Sequence, residues 1–182
     1  MRISCRSRYL KNMEPIIRKA IPEDAKAVAA VINSVILEGK YTALTNPFTE
    51  EEERAFIAGL CDRSALFVAE VEDEIVGLQI IEPDGLAQYT DAMQHVATIG
   101  TWIHANFRGQ KIGRVLAETS FRFAHAKNFK KIAIQVIADN TRALRFYGNL
   151  GFEKIGTAKK HVKLEGKFCD VFYLEKFLTD DS

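Results

Sequence analysis

What most narrows the folds open to this chain is an apolar segment that changes its period within a few residues. Residues 95–104 read His-Val-Ala-Thr-Ile-Gly-Thr-Trp-Ile-His, an apolar strand. A short basic turn follows, Asn106-Phe-Arg-Gly-Gln-Lys-Ile-Gly113, and from Val115 to Ala126 the residues Leu116, Ala117, Phe121 and Ala124 fall at helical spacing. Strand, glycine-bearing basic turn and helix N-terminus together describe an anion site. First-turn amides of a helix have no partners within it and sit at the positive end of its dipole. Gly109 and Gly113 permit close approach of backbone to a bulky ligand, and Arg108, Lys111 and Arg114 add cationic donors. A pyrophosphate fits that description.

Spacing removes two phosphate-binding classes. A Walker loop needs four residues between its glycines and then Lys-Ser/Thr, whereas Gly109 and Gly113 enclose three and are followed by Arg114-Val115. The dinucleotide fingerprint fails because no glycine stands two residues after Gly109.

A second stretch sharpens the reading. Residues 131–138, Lys-Ile-Ala-Ile-Gln-Val-Ile-Ala, form a strand that runs into Asp139-Asn-Thr-Arg-Ala-Leu-Arg-Phe-Tyr-Gly-Asn-Leu-Gly-Phe152, a short helix closed by Gly151. Asn140 and Tyr147 are two helical turns apart and so share a side, with the small Ala143 between them.

Both stretches resemble the GNAT family of N-acetyltransferases. Arg108-Gly109-Gln110-Lys111-Ile112-Gly113 is similar to its acyl-CoA turn, Gln/Arg-x-x-Gly-x-Gly/Ala, and Asn140, Ala143, Tyr147, Gly151 and Phe152 match its signature Asn-x-x-Ala-x-x-x-Tyr-x-x-x-Gly-Phe. The likeness spans roughly residues 16 to 178. One position departs, since Lys111 stands where the family has its first glycine. An ordinary helical backbone there tolerates the side chain; a positive φ costs about 1 kcal/mol or more and weakens binding.

The resemblance implies acetyl-CoA as co-substrate, no metal, and a set of roles. Backbone from Arg108 to Gly113, with Gln110, Lys111 and Ile112 between and Arg114 beyond, is expected to hold the CoA pyrophosphate. Asn140 is expected at the pantetheine arm or at an ordered water near it, Trp102 and Ile103 to offer strand amides to pantetheine and acetyl carbonyl, and Tyr147 to protonate the leaving thiolate. Many relatives carry a strand glutamate as base where this chain has Thr98; His95, His104 and Glu38 are the substitutes considered, and the base stays open.

The rest of the chain supplies the frame. Residues 16–20 read as a strand, and 21–37 as a helix opened by Pro22 and acids and ended by Gly39. A loop over 40–47 follows, then a helix from a Thr49/Glu52 capping box to about Cys61. The loop places Tyr41 and Thr42, with Glu38 before it, as candidate substrate contacts. Residues 65–71 and 75–81 form a hairpin, 83–89 a connection, and 153–164 and 168–177 two last strands. The first of these carries a basic run, Lys159, Lys160, His161 and Lys163. This order predicts one α/β domain, residues 14–180, with a mixed, mostly antiparallel central sheet and helices on both faces. Residues 1–13 are expected to be a flexible extension.

Composition sets the outer bounds. At 182 residues, 47% hydrophobic and net charge +1, the chain suits one core and leaves no footprint for non-specific nucleic-acid binding. No run reaches the roughly 18 apolar residues of a spanning helix, so no membrane partner is expected. Its three cysteines, Cys5, Cys61 and Cys169, lack metal or disulfide spacing and suggest a cytoplasmic protein. The expected activity is N-acetylation of a small primary amine, an amino acid or amino-acid-like compound, as the final strands resemble those of the small-molecule members. The alternatives are a protein N-terminal or lysine acetyltransferase and a non-catalytic acyl-CoA-binding module. An exposed last strand could pair two subunits as a homodimer.

Overall fold

The structure, a computed structural model, describes residues 14–178. The expected extension at 1–13 therefore lies outside the described residues, as do the last two positions of the expected domain.

Seven strands form one sheet: β1 (Ile16–Lys19), β2 (Ala65–Val71), β3 (Glu74–Pro83), β4 (Val96–Ile103), β5 (Lys131–Ile137), β6 (Glu153–Leu164) and β7 (Lys167–Phe177). Their spatial order is β1-β2-β3-β4-β5-β7-β6, and among the described residues β4–β5 is the one parallel pair. Helices α1 (Ala25–Ile36) and α2 (Glu50–Ala58) cover one face; α3 (Ile112–Ala126) and α4 (Thr141–Asn149) cover the other.

Alternation along the strands sorts the core. Leu66, Val68, Leu78 and Ile80 pack against Val28, Ile32 and Ile57 under α1 and α2, while Ile81, Ala97, Ile99 and Ile132 pack against Leu116 and Tyr147 under α3 and α4. Local chemistry sets the element ends. The Thr49 side chain accepts from the Glu52 amide and the Glu52 carboxylate accepts from the Thr49 amide, the expected reciprocal cap. Helix α2 stops at Ala58, short of the expected Cys61, with Gly59 as its C-cap. The β2–β3 turn places Glu72 at φ 51° and Asp73 at φ 63°, the double left-handed turn that matches strand twist.

The last strand is not an edge, which corrects the expected dimer surface. β7 lies inside the sheet, paired to β5 from Lys131↔Phe177 to Ile137↔Val171 and to β6 on its other side. It carries the buried Val171 and Leu174. β6 is the edge instead, and it is blunted by lysines and by a register shift between Ala158 and Val162, with Lys160 at φ 50°. Among the described residues no helix is long and apolar enough to cross a membrane.

Candidate active site

The site arises where β4 and β5 separate. They pair only at Val96↔Lys131 and Ala97↔Ile132, although β4 continues to Ile103 and β5 to Ile137. Beyond Ala97 the strands diverge, so backbone groups of β4 facing away from β3 lose their sheet partners. The gap opens into a cleft of about 860 Å³.

Helix α3 opens at the end of this cleft. Its first residue is Ile112, three residues earlier than the spacing of Leu116 and Phe121 suggests, because Ile112 and Gly113 are themselves buried in the first turn. Gly109 at φ 78° and Lys111 at φ 64° are both left-handed. The Lys111 conformation decides the open question in favour of a strained lysine. Five successive amides, Gly109 to Gly113, make no backbone hydrogen bond among the described residues; intrahelical bonding resumes with the amide of Arg114 donating to the Lys111 carbonyl at 2.9 Å. Such a run of unpartnered N–H groups at a helix N-terminus is an anion nest. A β-carbon at Gly113 would lie 3.1 Å from Ile103 Cδ1 and 3.2 Å from the Phe146 ring, so glycine lets the turn seat against the strand.

Charge follows the same pattern. Arg108, Lys111, Arg114, Arg142 and Arg145 line the cleft, and no acid does among the described residues. Arg108 does not serve as the free donor expected of it. Its Nη1 donates to Glu38 at 2.9 Å, its Nη2 pairs with the other Glu38 oxygen, and its Nε donates to the Ile103 carbonyl at 2.9 Å. The Arg108 guanidinium holds the Glu38 carboxyl below the usual carboxylate range. Glu38 is thus a brace between α1 and the turn, poorly suited to be base or substrate contact. Arg114 is exposed and pairs with Glu118 one turn on.

The deep end of the cleft belongs to Tyr147. Its ring is 6% exposed, and its hydroxyl lies 3.1 Å from Thr101 Oγ1, which accepts from Gln79 Nε2 at 2.7 Å. Burial pushes the phenol up and the Thr101 contact opposes that in part, so Tyr147 keeps its proton at neutral pH. Thr101 and Gln79 were not picked out from the sequence. The usable signal was Gln79, a polar residue inside the apolar run 75–81, which the fold leaves 0% exposed. Arg142 and Arg145, flanking Ala143, were missed as well.

Asn140 caps α4 by accepting from the Ala143 amide at 3.1 Å, and its Nδ2 donates to the Tyr41 carbonyl at 3.3 Å. This bond holds the loop that brings Tyr41 and Thr42 to the rim. Trp102, Ile103, Arg108, Gly109, Lys111, Ile112, Gly113, Arg114, Asn140, Tyr147, Tyr41 and Thr42 all line the one cleft; Gln110 and Glu38 do not. His95 lies at the paired end of the two strands, and His104 accepts from the Asn106 amide, so neither lines the cleft.

The profile of the acetyltransferase (GNAT) family matches residues 34–152. The L-amino acid N-acetyltransferase AaaT of Escherichia coli K12 is 25% identical over 120 residues, covering 64% of this chain and 72% of that protein. A phosphinothricin N-acetyltransferase of Streptomyces coelicolor is 22% identical over 166 residues, covering 88% of this chain and 94% of its own. Among solved structures, a phosphinothricin acetyltransferase from Sinorhizobium meliloti in complex with AcCoA superposes with TM-score 0.81 at 18% identity, covering 91% of this chain and 89% of that one, a likeness of fold.

Proposed function

This chain belongs to the GNAT family of acetyltransferases, and on that premise we propose that it moves an acetyl group from acetyl-CoA to the primary amine of a small molecule, an amino acid or amino-acid-like compound. One observation carries the reading: the five unpartnered amides from Gly109 to Gly113 head an acid-free cleft whose deep end is the Tyr147 hydroxyl.

Those residues suit a large anionic acyl donor. The amide nest takes the pyrophosphate, with Lys111, Arg142 and Arg145 supplying positive charge around it. Bound acetyl-CoA supplies a thioester, an acyl group already activated toward an amine. The freed backbone of β4 near Trp102 and Ile103 offers donors where charge develops on the carbonyl oxygen. As the amine nitrogen bonds to the carbonyl carbon and the C–S bond breaks, Tyr147, neutral and held by Thr101, gives its proton to the departing sulfur, and the nitrogen's surplus proton returns the phenolate to phenol through solvent. Gln79 positions that pair from below. Asn140 fixes the Tyr41–Thr42 loop, the rim over which the amine enters.

Relatives that acetylate amino acids and phosphinothricin support the small-molecule class. Calorimetric titration with acetyl-CoA tests the donor site, with Gly113→Glu as the blocked control, and CoA release across a panel of amino acids tests the acceptor. Binding lost in the control and release with free amino acids are expected; no binding by the parent chain overturns the reading.

A further inference from the structure

A second cavity, of about 270 Å³, lies on the opposite face of the sheet, beneath α2. Phe48, Phe56, Ile80 and Trp102 give it apolar walls, and Glu53 and Glu82 reach it from α2 and β3. Glu52 lines it too, but its carboxylate is committed to the cap of α2. No cation lines it among the described residues, the reverse of the donor cleft. Trp102 lines both spaces; its indole folds back over Gly100, where a β-carbon would lie 2.5 Å from the ring.

Glu53 is the unexplained group. It is 4% exposed, yet its Oε2 has no hydrogen-bond partner. A buried carboxyl oxygen left unsatisfied is costly, and a ligand donor would recover that cost. Burial pushes this carboxyl up, with the neighbouring Glu52 adding to the effect, and burial does the same to Glu82. No cation among the described residues offsets either. Glu82 faces Thr98 across β3 and β4, the first β4 residue beyond the last β4–β5 pair. Glu82 therefore sits where the strands begin to part, Trp102 joins this cavity to the donor cleft, and Glu53 lies at the end under the helix.

We propose that this cavity takes the acceptor, an amine with an apolar chain and a second ammonium group, with Glu53 as counter-ion of the distal ammonium and Glu82 beside the reacting one. The inference rests on the acetyl-transfer reading for the word acceptor, but the cavity can be tested without acetyl-CoA. An alkyl chain fits the apolar walls, and a buried acid without a partner is complemented by a cation.

Titration of the full chain with 1,5-diaminopentane and with pentylamine reads the site directly. Tighter binding of the diamine by about tenfold or more is expected, the worth of one charge-assisted hydrogen bond, and Glu53→Gln should bring the two amines together. Equal binding in the parent chain, no binding of either amine, or a preference that survives Glu53→Gln overturns the inference. With acetyl-CoA present, 1,5-diaminopentane should outrun pentylamine in kcat/KM, and Glu82→Gln should slow both alike while Glu53→Gln slows only the diamine. Pentylamine turned over as well as the diamine also overturns it. Failure of acetyl-CoA to bind would sink the acetyl-transfer reading alone and leave the diamine titration to decide the cavity.

Discussion

Glu38 and Arg108 stand seventy residues apart in sequence and meet in a two-pronged ion pair that ties the end of α1 to the turn before α3. Their side chains are 25% and 14% exposed, so the pair is only partly screened. Arg108 also lies over the Tyr41 ring, 5.3 Å from its centroid, and so braces the loop from below as Asn140 does from the side.

Glu38→Gln is expected to lower the unfolding free energy by about 2 kcal/mol at neutral pH, since it strands a partly buried guanidinium. The folded carboxyl titrates below its unfolded value of about 4.3, so its contribution is present above that pH and lost as pH falls through the folded value. Urea midpoints should therefore separate parent and variant at about pH 7 and draw together progressively as pH falls below about 4. A separation that persists in acid would show that the carboxylate charge is not what stabilises the turn.

Lys111 holds a left-handed conformation that a β-carbon resists. Glycine at 111 should accordingly be more stable than alanine by about 1 kcal/mol, the reverse of their order inside a helix. Thermal denaturation of Lys111→Gly beside Lys111→Ala checks this, and an alanine variant as stable as the glycine one would mean the turn relaxes out of that conformation.

Tyr147→Phe keeps the ring in its packing with Phe146 and Phe152 and removes only the hydroxyl. Turnover is expected to fall by about a hundredfold or more, with acetyl-CoA binding nearly unchanged, the mark of a proton donor rather than a binding contact. Because burial raises this phenol, the parent enzyme's rate should not fall on its account until pH passes above about 10. A kcat that survives the substitution would return Tyr147 to a purely structural role.

Glu53→Gln should stabilise the empty protein at neutral pH by about 1 kcal/mol, since it removes a buried charge without changing the shape. A carboxyl whose folded value is raised contributes most below its unfolded value, and that contribution is lost as pH rises through the folded one. The variant's advantage is thus expected at about pH 7 and absent below about pH 4. Unfolding at both pH values decides it; a variant less stable at neutral pH would mean that Glu53 already has a partner.

Local rules carried much of this protein's structure in the sequence itself. The Thr49/Glu52 cap, the β2–β3 hairpin, the α4 segment from Asn140 to Gly151, and the strand–turn–helix around Gly109 and Gly113 each depend on residues within a turn or two of one another, so spacing alone reveals them. Contacts between distant residues were decided only by folding. The sheet order that buries β7, the Gln79–Thr101–Tyr147 chain and the pairing of Arg108 with Glu38 join positions whose separation leaves no periodic trace. The left-handed backbone at Lys111 is of the same kind: no propensity of lysine predicts it, and it is imposed by a helix that must start where Gly113 meets Ile103 and Phe146. The unpartnered oxygen of Glu53 belongs there too, because a carboxylate on an acidic helix reads as solvated until the sheet closes over it.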